Sequence, residues 1–404
     1  MVGVFMKVFM FPGQGSQSKG MGGDLFDDFK DLTQRADDIL GYSIKELCLS
    51  DPKRELNKTQ FTQPALYVVN AFSYLKKIEI SGKKPDYVAG HSLGEFNALL
   101  AAECFDFDAG LKMVKKRGEL MSQAPEGGMA AILNATKEQI ESILQEKGLT
   151  NIDLANYNTP SQIVISGPIE EIAAAQEFFQ KGEMLYYPLN TSGAFHSRIM
   201  QPVKDKFESY IKKFKFAAPK IPVISNVTAR PYGEDDVVKN LSTQLASGVR
   251  WSASIQYLFS LENLSDSMEF EEVGNGEVLT KIFKTIKSET TKSISELAIK
   301  DDANELDETP KPEVNIESNQ IAAGENSSQK SLIEKNDTNV ETKAEEKVYS
   351  WNSKYPVGTK VKSTTMDYDL LETRTEAVVL FGHRAAVYVK DYNGYFDLDE
   401  LAIA

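Results

Sequence analysis

The pentapeptide Gly90-His91-Ser92-Leu93-Gly94 follows a short apolar run, Tyr87–Ala89, and precedes apolar residues at helical spacing, Phe96, Leu99 and Leu100. Gly-x-Ser-x-Gly between a strand and a helix is the pattern of a nucleophile elbow, which holds a serine at the tip of a strained turn with its hydroxyl facing a cleft. The glycines relieve crowding in that turn. The helix start brings backbone N–H groups, and the positive end of the helix dipole, beside any oxyanion formed there. The competing reading is a tight turn that happens to contain a serine.

A serine nucleophile needs a base, and neutral imidazole is the usual one near pH 7. The chain has three histidines, His91, His196 and His383. His91 adjoins Ser92, and its side chain is expected to diverge from it. His383 lies far along the chain, beyond a long acidic stretch. That leaves His196, in Ser192-Gly193-Ala194-Phe195-His196-Ser197, as the candidate base, against the alternative of a histidine serving structure alone. Aspartates are too numerous for the sequence to nominate one that orients the imidazole. Arg117, in Lys115-Lys116-Arg117-Gly118-Glu119, reads on its own as part of an exposed basic helical turn, a solvated face.

These residues must be positioned by a chain of 404 residues, enough for two or three domains and a substantial core. No apolar run reaches the ~18–20 residues of a membrane span. Met1 to Pro12 lacks a basic leader region and reads as a buried first strand. Two cysteines, Cys48 and Cys104, exclude a disulfide framework and fit a reducing cytoplasm. With so few histidines and cysteines no metal site is expected. A net charge of −14 and the lack of a Lys/Arg cluster interleaved with aromatics argue against nucleic acid as a partner.

The acidity is concentrated. Asp301 to Lys347 holds 13 Asp/Glu against 5 Lys, two prolines and no aromatic residue, a composition that predicts a disordered linker over 296–347. The preceding body alternates strand-like and helical runs, an α/β signature. Within it, residues 127–194 read as strand Met129–Leu133, helix Lys137–Lys147, strands Ile152–Tyr157 and Gln162–Ser166, helix Glu170–Lys181 and strand Met184–Leu189. That βαββαβ order predicts an inserted ferredoxin-like domain. A larger α/β-hydrolase-like domain then takes 1–126 and 195–295. The tail, 348–404, has short β-rich runs joined by Gly and Asn-Gly turns and predicts a small antiparallel, SH3-like barrel.

Phe11-Pro12-Gly13-Gln14-Gly15-Ser16-Gln17, Gly90-His91-Ser92-Leu93-Gly94-Glu95 and Gly193-Ala194-Phe195-His196-Ser197 together resemble the malonyl-CoA:acyl carrier protein transacylases. The resemblance covers residues 6 to about 290. It includes Thr62-Gln63-Pro64-Ala65, Asn158-Thr159-Pro160-Ser161-Gln162 and Glu272-Val273-Gly274-Asn275-Gly276. It implies a monomeric body in which Ser92 takes malonyl from malonyl-CoA and passes it to the phosphopantetheine thiol of an acyl carrier protein, with His196 as base and no cofactor. It further implies that the backbone carbonyl of Gln244 orients His196 and that the N–H groups of Gln14 and Leu93 form an oxyanion hole. Arg117 then pairs with the malonyl carboxylate, Gln63 lies in the substrate site, and Phe195 leaves little room for an α-methyl branch. The Ser-Gly-Ala-Phe-His segment looks like the stand-alone acyltransferases that serve polyketide synthases, while the acidic linker and β-rich tail are additions to the housekeeping fatty-acid enzyme's pattern. Rivals are an acyl hydrolase of the same fold, an ordinary α/β-hydrolase esterase, and an inactive scaffold whose tail recruits partners.

Overall fold

The computed structural model describes residues 6–261, 268–290, 341–364, 370–380, 384–390 and 396–404. Two compact units divide between Lys287 and Ser288.

The first unit is built on a parallel sheet. Strand β1 (Met6–Phe11) lies between β2 (Tyr87–Gly90) and β8 (Met268–Glu272), and β7 (Val223–Ile224) extends the sheet beyond β2. The register sets Phe11 opposite Gly90, so the turn after β1 arrives beside the elbow after β2. Val8, Phe9, Met10 and Phe11 are all buried, as expected when helices cover both faces of a parallel sheet. Phe9 and Phe11 meet the cluster under helices Thr59–Ser81 and Phe107–Ser122. Val8 and Met10 meet Trp251, Ile255 and Leu258 of helix Trp251–Ser260 on the other face.

Strands β3 (Gly128–Leu133), β4 (Asp153–Thr159), β5 (Gln162–Gly167) and β6 (Leu185–Leu189) form a second sheet, wholly antiparallel, in the order β4-β5-β3-β6. Helices Lys137–Glu146 and Ile169–Phe179 fall after β3 and β5. Thr136 caps the first of them in a capping box with Gln139. Alternation along β3 divides its side chains: Ala130 and Ile132 join the core under these two helices, whereas Met129 and Ala131 join the main core. One face of this small sheet is therefore packed on the larger layer. Main-chain bonds add a seam, Tyr157 N–H to Val249 O (2.9 Å) and Val249 N–H to Ala155 O (2.8 Å).

The second unit contains helix Glu341–Asn352 and two three-stranded antiparallel sheets. One has the order β10-β9-β14 (Leu371–Glu372, Lys360–Ser363, Leu401–Ile403), the other β11-β12-β13 (Val378–Leu380, Arg384–Val387, Phe396–Asp397). Val361, Val387, Val389, Phe396 and Leu401 form its core. The helix corrects the expected linker at its C-terminal end. Val348 and Trp351, one helical turn apart, pack on that core, and Asn352 exchanges hydrogen bonds with the Ala377 main chain. These anchors lie in 348–404, while the helix itself begins at Glu341, inside the segment expected as linker. The remainder of the expected linker, 296–340, falls on residues outside the description, as does His383. Among the described residues no helix is long and apolar enough to cross a membrane.

Candidate active site

Ser92 has φ +52°, a left-handed conformation rare for a residue with a side chain. The neighbouring glycines serve close approach as well as turn geometry. A Cβ on Gly90 would lie 2.0 Å from the Gly94 carbonyl carbon, one on Gly94 2.0 Å from the Phe11 carbonyl oxygen, and one on Gly13 2.4 Å from the His91 carbonyl oxygen. The end of β1, the elbow and the start of helix Gly94–Ala101 are thus in backbone contact. Among the described residues the N–H groups of Gln14 and Leu93 have no acceptor. These are the two donors expected beside an oxyanion.

His196, only 5% exposed, also has a left-handed backbone, φ +58°. Its Nε2 is 2.8 Å from Ser92 Oγ and its Nδ1 2.8 Å from the backbone carbonyl of Gln244. A carbonyl can only accept, so Nδ1 carries the proton and Nε2 keeps its lone pair toward the serine. Burial, reinforced by the Arg117 charge, pushes the His196 pKa down to about 3, so the imidazole is neutral at physiological pH. His91 points elsewhere, 2.9 Å from Asn158 Oδ1 and against the Trp251 ring.

The expectation that Arg117 lies on a solvated face is wrong: it is 1% exposed. Lys115 and Lys116 do point outward, Lys115 capping carbonyls of Ile39 and Leu40 and Lys116 facing Glu119. The next helical step turns Arg117 inward, where Gly118 permits close packing. A Cβ at Gly118 would sit 3.1 Å from the Gln60 Cα of helix Thr59–Ser81. Arg117 Nη1 donates to Gln63 Oε1 (2.7 Å), and Nη2 to Gln244 Oε1 (2.8 Å) and Ser92 Oγ (3.1 Å). Among the described residues its Nε has no partner. Burial lowers its pKa to about 10, which leaves it charged at neutral pH. Gln63 holds the guanidinium and donates in turn to Met121 Sδ. Phe195 is buried in the main core.

Three contributors, Asn226, Glu95 and the Gln244 side chain, were not legible as such in the sequence. Asn226, just past β7, accepts from Ser92 N–H (2.7 Å) and donates to Gly90 O (2.7 Å), clamping both ends of the elbow. Glu95 is fully buried and accepts from Asn226 N–H (2.8 Å), Tyr232 O–H (2.8 Å) and Gln244 Nε2. The Gln244 side chain also donates to Ser92 O (2.9 Å). Asn226 could have been sought as a polar residue at the carboxyl end of a parallel strand, where sites on such sheets form. Glu95 stands within the quoted elbow motif, with nothing in its spacing to mark a role.

The result is a serine hydroxyl between a proton acceptor and a guanidinium, with the acceptor-free N–H groups of Gln14 and Leu93 on the adjoining turns. That constellation suits acyl transfer through a covalent ester, the acyl group carrying an anionic end.

Comparison with known proteins agrees. Residues 8–264 match the acyl transferase domain family, and the chain belongs to it. The polyketide biosynthesis malonyl CoA-acyl carrier protein transacylase BaeC of Bacillus velezensis is 56% identical over 290 residues, which are 71% of this chain and 99% of that protein. A crystal structure of the malonyl CoA-acyl carrier protein transacylase of Burkholderia pseudomallei aligns with a TM-score of 0.69 and 58% identity, over 70% of this chain and 98% of that one. A malonyl-transacylase solved in complex with a type II polyketide synthase acyl-carrier protein aligns at 0.65 and 32% identity, over 70% and 93%.

Proposed function

We propose that this protein is an acyl carrier protein S-malonyltransferase that supplies extender units to polyketide or fatty acid synthesis, the polyketide role being favoured by the BaeC relationship. The observation that carries the substrate is Arg117, buried, charged, with an unpaired Nε and an Nη 3.1 Å from the nucleophile. A buried guanidinium with spare N–H capacity calls for a carboxylate close to the reacting carbonyl, as in a malonyl half-thioester.

In the first step the Ser92 oxygen attacks the thioester carbon while His196 Nε2 takes the hydroxyl proton. The Gln14 and Leu93 N–H groups hold the oxyanion. The C–S bond then breaks and CoA leaves as its thiol, protonated from His196. In the second step His196 deprotonates the phosphopantetheine thiol of the carrier protein, sulfur attacks the ester, and Ser92 recovers its proton. The substrate carboxylate offsets the Arg117 charge that depresses His196, so the base strengthens when the correct acyl group is bound. Gln63 and Gln244 orient Arg117, the Gln244 carbonyl orients His196, and Phe195 disfavours an α-branched malonyl group. No cofactor or metal enters these steps.

The antiparallel sheet with its two helices is read as the ferredoxin-like domain of 127–194, and residues 348–404 as an SH3-like appendage that follows an acidic linker. The body acts as a monomer in the cytoplasm.

Intact-protein mass after mixing with malonyl-CoA or acetyl-CoA tests the reading. Wild type gains malonyl and hands it to a carrier protein, Ser92→Ala gains nothing, and Arg117→Ala loses the preference for malonyl over acetyl. Preferential acetyl loading followed by release to water would instead identify a hydrolase, and no adduct with either would identify a scaffold.

A further inference from the structure

The Glu95 carboxylate makes no hydrogen bond to Ser92, His196 or Arg117, yet it is 0% exposed and ringed by donors. Its Oε1 receives the Asn226 N–H and the Tyr232 O–H, and its Oε2 receives Gln244 Nε2. An ionised carboxylate accepts only, whereas a primary amide donates at one end and accepts at the other. A carboxylate beside Gln244 therefore fixes which way that amide faces. Its NH2 must turn to Glu95 and to Ser92 O, and its Oε1 must turn to Arg117 Nη2. We infer that Glu95 is a specificity-determining positioning residue, which sets the polarity of the Gln244 amide and thereby holds Arg117 in place for the substrate carboxylate. The role toward the substrate rests on the malonyl-transfer reading; the hydrogen-bond order does not.

The inference follows from counting protons. In Glu95→Gln the new amide oxygen stays on Asn226 N–H and Tyr232 O–H, because the backbone donor cannot turn. Its NH2 then meets the Gln244 NH2, donor against donor. Relief requires Gln244 to rotate its amide by half a turn, which presents NH2 to the guanidinium and removes one of the two glutamine acceptors that hold Arg117. The elbow clamp through the Asn226 side chain keeps its bonds to Ser92 N–H and Gly90 O, and loses only the long contact (3.4 Å) that Gln244 Nε2 makes with Asn226 Oδ1. Malonyl loading should therefore suffer more than acetyl loading, which does not call on Arg117.

The polarity can be exchanged. In the double variant Glu95→Gln/Gln244→Glu, the NH2 at 95 donates to a carboxylate at 244, whose second oxygen accepts from Arg117. The buried charge is kept and the order of donors is restored toward the guanidinium. Ser92 O and Asn226 Oδ1 each lose the Gln244 donor.

Single-turnover loading of the full chain, followed by mass, gives kcat/KM for malonyl-CoA and for acetyl-CoA. Glu95→Gln should lower the malonyl-over-acetyl ratio by about ten- to a hundredfold, the worth of one hydrogen bond to a charged group. The double variant should recover most of that ratio while its absolute rates stay below wild type. Parallel loss with both substrates, an unchanged ratio in Glu95→Gln, or a double variant no better than Glu95→Gln would overturn the inference. Wild type that takes no malonyl would sink the transferase reading itself, and the specificity role with it. A Glu95→Gln that does not fold is covered by Glu95→Asp, which keeps an acceptor-only group. Its ratio should stay nearer wild type than its absolute rate does, and a ratio that falls with the rate counts against the inference.

Discussion

The elbow and the C-terminal unit of residues 341–404 use charge in opposite ways. Around Ser92 the charged groups Glu95 and Arg117 are inside, each tied by directed bonds to uncharged partners, and three glycines lie where a methyl group would meet main chain. In the C-terminal unit the described ion pairs are outside, Glu372 with Lys360 and Lys390 and Lys347 with Asp399, over a core of Val361, Val387, Val389 and Phe396. The first region is specified by the order of donors and acceptors, where one atom changed is felt. The second is specified by a pattern of apolar positions and tolerates changes of surface charge.

The contrast is sharpest at Gly94. Gly94→Ala should abolish loading and cost about 1–3 kcal/mol of stability, because its Cβ would meet the Phe11 carbonyl rather than a movable side chain. Mass after malonyl-CoA and a denaturant melt check both parts. Next, Asn226→Ala leaves the Ser92 N–H and Gly90 C=O without their partner, at about 1–3 kcal/mol for each buried group. Loading of malonyl and acetyl should fall together, by at least about tenfold, unlike the selective loss expected at Glu95. Stopped-flow loading with both thioesters decides.

A smaller effect comes from pH. Burial raises the Glu95 pKa from the ordinary 4.5 to about 7, against the hydrogen bonds of Asn226, Tyr232 and Gln244 and the attraction of Arg117. As pH falls through about 7 Glu95 takes a proton and ceases to be acceptor-only, so the malonyl-over-acetyl ratio should decline on the acid side, and this limb should vanish in Glu95→Gln. His196, depressed to about 3, contributes no such limb near neutrality. The sign for stability is the reverse. The folded protein binds this proton more readily than the unfolded chain, so the contribution is fullest below 4.5 and is lost as pH rises through 7. At the far end of the scale, deleting 296–404 should leave loading and transfer to a free carrier protein unchanged within about twofold, since BaeC is matched over 99% of its length by 290 residues of this chain. Glu372→Gln should barely move the melting temperature of the full chain. A large effect from either would remove the distinction between the regions.

The sequence made Ser92 legible through strand, turn and helix, and His196 through the scarcity of histidines. The small sheet was legible too, because its strands and helices have clear periods and its boundaries fall within two residues of those expected. Arg117 was misread from composition, since three adjacent basic residues on a helix face different directions and only the packing partner decides which is buried. Glu95, Asn226 and the Gln244 side chain were not legible because each acquires its role from groups about 130–150 residues away, at single-atom resolution. The helix Glu341–Asn352 was missed because it straddles the expected boundary at 347, its acidic first half reading as linker while its anchors Val348, Trp351 and Asn352 lie in the tail.

The main-chain seam at Val249 carries a consequence for modular exchange. The segment that supplies the Gln244 carbonyl runs directly into that seam, and Gly248 is confined there, with a Cβ placed 2.7 Å from the Leu154 carbonyl oxygen and 2.9 Å from the Tyr157 ring. The inserted sheet and residues 244–250 are therefore one interchangeable part. A chimera that transplants 127–194 from a relative while keeping this chain's own 244–250 mates surfaces cut to different templates, and the misfit is transmitted along a handful of bonds to the imidazole. Swapping both together preserves the fit, so the natural cassette for re-engineering this protein is discontinuous in sequence and contiguous in space.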